Sequence, residues 1–234
     1  MKLAVMQPYL FPYIGYFQLV KAVDVFVFYD DVNYINKGWI NRNKILLNEN
    51  EYLFTIPCIK ASQNKLIKDI EYDNNHRDFK KILGTMNQVY SKAPYFNEVW
   101  TLISTVFERD LKFISTLAQE SVIQISKYLE LNAVFKSSSD FHSETVGMER
   151  ADRLIEICKR EKANEFVNAT GGRALYEKSY FQNNGININF INSEGAIEYK
   201  QFSNEFIPWL SIIDILMFNS VAEVQQMLYK YKLE

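Results

Sequence analysis

Apolar and polar positions along this chain fall in blocks whose period changes from segment to segment. Leu3 to Met6 is a short unbroken apolar run stopped by Gln7 and Pro8, and it reads as a buried strand. From Pro12 to Ala22 the apolar residues Tyr13, Phe17 and Val20 recur at helical spacing, with Pro12 suited to a first turn. Asp24 interrupts, and Val25 to Tyr29 is again continuously apolar before Asp30 and Asp31. Runs without a polar face fit central parallel strands buried on both sides. Strand, helix and strand in such close succession predict a βαβ unit whose two strands lie side by side and parallel.

The next segments read differently. Gly38 to Leu47 and Tyr52 to Pro57 flank the polar stretch Asn48-Glu49-Asn50-Glu51, the pattern of a β-hairpin. Residues from about 76 to 130 carry helical spacing, with breaks near Ala93-Pro94 and Arg109-Asp110. Leu131 to Phe135 reads as another strand, Glu149 to Lys162 as a helix, and Glu165 to Val167 as a short strand. Gly171-Gly172 marks a tight turn, and Ile186 to Ile191 a strand alternating with asparagine. Pro208 to Phe218 and Val221 to Tyr231 complete the chain as two helices, the second capped by Asn219-Ser220. With no linker, repeat or low-complexity stretch, residues 1–234 are expected to form a single domain. The expected class is α/β: a mostly parallel, Rossmann-like sheet with a β-hairpin and a helical insertion at about 76–130.

Composition narrows the function classes. Of 234 residues, 48% are hydrophobic and 23% charged, which fits a globular chain and excludes a disordered one. A formal net charge of -2 gives no overall pull toward DNA, RNA or an anionic membrane. No signal peptide fits the short apolar start, and no run approaches the roughly 20 apolar residues of a membrane span. A cytoplasmic protein is therefore expected. Two cysteines, Cys58 and Cys158, and two histidines, His76 and His142, give neither a disulfide framework nor metal-ligand spacing, so no metal site is predicted.

Candidate chemistry gathers at the strand ends. The stretch Gln7 to Leu19 sets two prolines, Gly15 and three tyrosines between a strand and a helix. In open α/β sheets that junction faces the ligand, and its free amides receive phosphate. Gln7 and Gly15 are placed there as binding residues, with Tyr13 and Tyr16 as catalytic candidates. Asp30 and Asp31, ending the second strand, are candidates to orient a hydroxyl or act as a base. Asn41, Arg42 and Asn43 beside Trp39 suit a phosphate with a sugar or base stacked on the indole. Ser62, Gln63, Asn64 and Lys65 offer polar donors on a loop. Thr170, Gly171, Gly172 and Arg173 follow a short strand, where backbone amides and a guanidinium hold an anion. Asp152 and Arg153 read as surface charges. Cys158 reads as core packing, and Cys58, at the end of a hairpin strand, as packing with a nucleophile as the alternative. Tyr13, Tyr16, Arg42 and Arg173 are expected to share one pocket.

The Tyr13-Ile14-Gly15-Tyr16 tetrad resembles nucleotidylyltransferases, where a His-x-Gly-His tetrad opens the first helix and grips nucleotide phosphates. The departure is chemical, because tyrosine cannot become cationic as histidine can. The chain as a whole resembles the WbqC-like family. The resemblance rests on Met6 to Leu19, Tyr29-Asp-Asp-Val-Asn-Tyr34, Gly38-Trp-Ile-Asn-Arg-Asn43 and Ala61 to Ile67. Lys92 to Phe96, Asp152 to Cys158, Asn168 to Tyr176 and Phe206 to Asp214 extend it over nearly the whole chain. It implies a role in bacterial surface polysaccharide (O-antigen type) biosynthesis, decorating an amino sugar. Three readings follow: a cytosolic transferase that acylates or aminoacylates a nucleotide-linked amino sugar, a nucleotidyltransferase that activates a sugar, or a non-catalytic sugar- or nucleotide-binding subunit. The first two would draw on ATP or another nucleotide as cofactor, a choice the residues leave open, as they do the formation of a homo-oligomer.

Overall fold

The computed structural model describes residues 1–202 and 205–234. Strand β1 (Lys2–Met6) leads through helix α1 (Ile14–Lys21) into β2 (Val25–Phe28). The hairpin of β3 (Arg42–Leu47) and β4 (Asn50–Thr55) follows, then helices α2 (Arg77–Tyr90), α3 (Phe96–Phe107) and α4 (Ile114–Tyr128). Next come β5 (Val134–Ser137), the single turn α5 (Ser138–Phe141), α6 (Arg150–Arg160), β6 (Glu165–Ala169) and α7 (Lys178–Asn183). The chain ends with β7 (Asn187–Ser193), α8 (Ile212–Phe218), α9 (Val221–Met227) and β8 (Tyr231–Leu233).

The main sheet has the order β5-β2-β1-β6-β7-β8, parallel except for β8. β1 and β2 are adjacent and parallel, in register from Leu3↔Val25 to Met6↔Phe28. Their unbroken apolar character has a direct cause. Leu3, Val5, Val25 and Val27 face a core shared with α6 and α7, while Ala4, Phe26 and Phe28 face a larger core shared with α1, α4 and α8. Each buried Phe or Leu contributes on the order of 1.5–3 kcal/mol through surface removed from water. The sheet is thus clad on both sides, as parallel sheets require.

The hairpin pairs Leu47 with Asn50, leaving a two-residue turn at Asn48 and Glu49. Both take positive φ, 49° and 61°, the backbone that matches the twist of the flanking strands. The helical segment breaks at the expected places, between Tyr90 and Phe96 and between Phe107 and Ile114.

Several boundaries move; the first hairpin strand, for one, begins at Arg42 and not at Gly38. The strand expected from Leu131 begins at Val134, because Leu131 belongs to the end of α4. There Leu131 N–H donates to Ser126 C=O at 2.8 Å and Glu130 N–H to Lys127 C=O at 3.1 Å, with Glu130 at φ 56°. These are the paired bonds of a Schellman cap. The helix expected from Pro208 starts at Ile212, since Trp209 lies at φ 60° and Ser211 accepts from Ile213 N–H as the cap. The last helix stops at Met227, and Tyr231–Leu233 pairs antiparallel with β7 instead of continuing it. Its start is as expected, with Ser220 and Glu223 forming a capping box. No helix among the described residues is long and apolar enough to cross a membrane.

Candidate functional site

Numbered by position among the parallel strands, the sheet order is 3-2-1-4-5, so the winding reverses between β1 and β6. A crevice opens at the carboxyl ends of strands at such a reversal. Two cavities meet there, sharing Met6, Tyr9 and Ala169.

The smaller cavity, about 320 Å³, is walled by aromatics: Tyr9, Tyr13, Tyr16, Trp39 and Trp209, with Pro12, Leu19 and Ile191. Trp39 and Trp209 are 39% and 54% exposed. Trp209 leans on Tyr13 with ring centres 5.2 Å apart, and Tyr9 on Tyr16 at 5.7 Å. A bulky residue at positive φ is costly to hold, and such strain collects at functional sites. Trp209 is held by its flanks. Gln201 brackets Ile207 through both backbone groups (3.0 and 2.8 Å), and Ser211 N–H donates to Lys44 C=O at 2.8 Å. Gln201 and Tyr199 in turn donate to the buried carboxylate of Asp214, which also accepts from Tyr90.

The opening loop is clamped in the same way. Asn43 Nδ2 donates to the carbonyls of Leu10 and Phe11 at 3.1 and 2.7 Å, and Ser211 Oγ to Phe11 C=O at 2.6 Å. Phe11 N–H donates to Ser121 Oγ at 3.0 Å, which fixes Phe11 at φ 42°. Tyr16 is buried and donates to Gln7 C=O at 2.9 Å. Burial, then the nearby Tyr9, pushes its pKa well above the usual tyrosine value, and burial raises Tyr13 too. Both phenols therefore stay neutral, and Tyr16 serves as a donor. The Tyr13 hydroxyl is buried and makes no well-formed hydrogen bond; the neighbouring Ser193 gives its own proton to Gln18 Oε1 at 2.6 Å. Gly15 lies under the Tyr13 ring, where a Cβ would stand 2.7 Å from Tyr13 Cε1.

The larger cavity, about 750 Å³, runs along the ends of β1, β2 and β6. Gln7, Tyr29, Asp31, Asn33, Arg150, Arg153, Asn168, Gly171 and Gly172 supply its polar lining. Arg153 is buried and does not stand at the surface as the sequence suggests. It donates to Asp31 Oδ2 at 2.6 Å and Thr145 Oγ1 at 2.9 Å, with its guanidinium 4.6 Å from the Tyr29 ring centre. Asp31 also accepts from Ser138 Oγ at 2.5 Å. Asp30 turns away from the cavity, accepting from Ser139 N–H and Oγ at 3.0 and 2.9 Å and from Gln119. Burial raises its pKa and the Ser139 bonds oppose the rise. Both aspartates are thus committed to partners that lock β2 to α5 and α6.

Of the residues expected to share one pocket, Tyr13 and Tyr16 line the smaller cavity, while Arg42 and Arg173 line neither. Arg42 donates to the carbonyls of Gly38 (2.9 Å) and Lys37 and lies against Trp39, so it braces the tryptophan's loop. Arg173 pairs with Glu234 and crosses Phe190, tying β8 to the sheet. Asn41 bridges the Tyr34 hydroxyl and Ile56 C=O inside the hairpin, at 2.9 Å each. Thr170 Oγ1 donates to Ile191 C=O at 2.6 Å, and a Cβ on Gly172 would meet Asn168 Nδ2 at 2.4 Å. Ser62, Gln63, Asn64 and Lys65 form a separate turn, Asn64 N–H donating to Ser62 Oγ at 3.2 Å, outside both cavities. Cys58 and Cys158 have thiols pushed up to about 12 by burial. Tyr9, Trp209, Tyr29, Arg150 and Arg153 are cleft residues to which the sequence does not point. Arg153 left a trace, since it shares the helical stripe of the buried Leu154 and Ile157.

This is a doubly wound α/β protein with a two-part cleft at its switch point. The chain belongs to the WbqC-like protein family, whose sequence profile matches residues 7–226. It is similar to the uncharacterized protein Rv1507c of Mycobacterium tuberculosis (strain ATCC 25618 / H37Rv), with 28% identity over 225 residues covering 95% of each chain. No solved structure matches it at a significant level.

Proposed function

We propose that this chain is a cytoplasmic transferase of surface-polysaccharide biosynthesis that binds a nucleotide-linked amino sugar and acylates or aminoacylates its amine. The observation that carries the reading is the aromatic compartment at the switch point, with two exposed tryptophans at its mouth. The apolar face of a sugar ring stacks on such walls, as aromatic faces do with flat partners. The Tyr13 hydroxyl supplies a hydrogen bond where a buried donor otherwise goes unmet. The nucleotide then extends past Trp39 and Trp209. The family resemblance supports the choice of an amino sugar.

The test is calorimetric titration of UDP-glucosamine into the full chain and into Trp39→Ala and Trp209→Ala. Each aromatic truncation is expected to cost about 1–3 kcal/mol, roughly 5- to 150-fold in affinity. Equal affinities in all three proteins would remove the aromatic compartment from substrate binding. Pyrophosphate release from a nucleoside triphosphate and a sugar phosphate would favour the nucleotidyltransferase reading. Binding of the sugar without turnover across acyl donors would favour the binding-subunit reading.

A further inference from the structure

The larger compartment has two features that sugar binding leaves unused. Its rim carries Ile35, Val146, Met148 and Leu175, which are 48%, 56%, 41% and 56% exposed. Four large aliphatic side chains around one opening form a patch of the kind that marks a binding surface. Beside them stands Arg150, whose side chain makes no salt bridge or hydrogen bond among the described residues. The other charged residues of the lining, Asp31 and Arg153, neutralise each other. Arg150 therefore gives the compartment one uncompensated positive charge. An aliphatic rim with one cation that has no partner among the described residues complements a ligand with an aliphatic body and an anionic group. Sugar hydroxyls laid on those four side chains would lose water without gaining partners.

We propose that this compartment is the acyl-donor site, and that it takes an aliphatic acyl thioester on a phosphate-bearing carrier. The chain lies over the aliphatic rim and a phosphate pairs with Arg150. The proposal rests on the transferase reading, because the compartments meet at Met6, Tyr9 and Ala169, where the two substrates would touch. There the sugar amine attacks the acyl carbonyl. A C–N bond forms, the C–S bond breaks, the thiolate leaves with the electron pair, and it takes up the proton the amine sheds.

The experiment titrates acetyl-, butyryl- and hexanoyl-coenzyme A into the full chain, with hexanoate and UDP-glucosamine alongside. Affinity is expected to rise about fourfold for each methylene buried. Arg150→Ala should weaken all three thioesters by roughly tenfold or more, the loss of one charge-assisted contact. Met148→Asp should flatten the chain-length dependence. Both variants should bind UDP-glucosamine as the natural chain does. Affinity that ignores chain length, or that survives Arg150→Ala, overturns the proposal. Hexanoate binding as tightly as its thioester, or pyrophosphate release from ATP with a free acid, overturns the thioester. Thioester binding without UDP-glucosamine binding would instead strike the sugar reading and leave this site standing.

Discussion

Arg153→Ala tests how the floor of the cleft is held. The substitution removes a guanidinium 2.6 Å from Asp31 Oδ2 and 2.9 Å from Thr145 Oγ1, stacked 4.6 Å from the Tyr29 ring centre. The two side chains of the pair are 5% and 3% exposed, so water cannot replace the missing partner. Asp31 would be left with the Ser138 hydroxyl at 2.5 Å. Breaking a buried pair from one side costs about 3–5 kcal/mol. Loss of the guanidinium over Tyr29 adds about 0.5–1 kcal/mol. The sum is a large share of the roughly 5–15 kcal/mol that holds an ordinary domain. At about 2–4 °C per kcal/mol for a chain of this size, melting should fall by roughly 7–24 °C. Arg153→Lys should be intermediate, since an ammonium cannot serve both Asp31 and Thr145 or stack on Tyr29. Arg153→Met combined with Asp31→Leu should recover most of the loss, because both charges leave together. Urea unfolding of these three variants and of the single Arg153→Met and Asp31→Leu chains, followed by circular dichroism, gives the energies. A loss below about 1 kcal/mol for Arg153→Ala, or simple additivity in the double variant, would refute the buried-pair argument.

Three further outcomes are expected. Gly15→Ala sets a methyl group 2.7 Å from Tyr13 Cε1 and so drives the ring off Trp209; tryptophan emission and UDP-glucosamine affinity should both change. Helix propensity gains up to about 1 kcal/mol in that variant, so a melting point near the parent's with unaltered emission would count against the contact. Cys58 and Cys158, with thiols held near 12, should resist iodoacetamide at pH 8 in the folded chain and both react in urea, as mass spectrometry will show. Burial lifts the Asp214 carboxyl above its ordinary range, so the folded chain holds that proton more tightly than the unfolded one. Its contribution is full at acid pH and is lost as pH rises through the folded value, so the destabilisation by Asp214→Asn should shrink from about pH 4 upward. An unchanging difference across that range, measured by urea unfolding, would place the proton elsewhere.

The parallel centre of the fold was legible because double-sided burial writes itself into local sequence. Val25 to Phe28 has no polar position since both faces of β2 are covered. The hairpin was legible for a similar reason, its polar stretch enclosing the turn. The missed boundaries share a different cause. Glu130 and Trp209 take left-handed backbone without being glycine, so nothing in residue type announces the cap after α4 or the delayed start of α8. Tyr231 to Leu233 is apolar enough to extend a helix on paper, and only the free edge of β7 makes it a strand. Long-range pairing decided there against local propensity.

The cleft itself was half legible, and the division follows the chemistry of the side chains. Charged and amide residues near strand ends are conspicuous in the sequence, and most of those are consumed in building the site. Asn43 clamps the loop that carries Tyr13, Arg42 braces the loop of Trp39, and Asp30 fastens α5. Buried polar groups need partners, so the strongest hydrogen-bonding residues are spent on scaffolding unless a ligand contributes. Apart from paired groups such as Asp31 and Arg153, what faces the cavities is aromatic or has no partner among the described residues: Tyr9, Tyr13, Trp39, Trp209 and Arg150. Trp209 reaches the cavity from about 200 residues beyond Tyr9, through a loop whose course depends on the buried Asp214. Arg150 differs from Arg153 by three positions on one helix, and only the fold separates the paired guanidinium from the one without a partner among the described residues. The residues that define the cleft are therefore those the scaffold leaves unsatisfied, and Tyr13 and Arg150 are its two clearest cases.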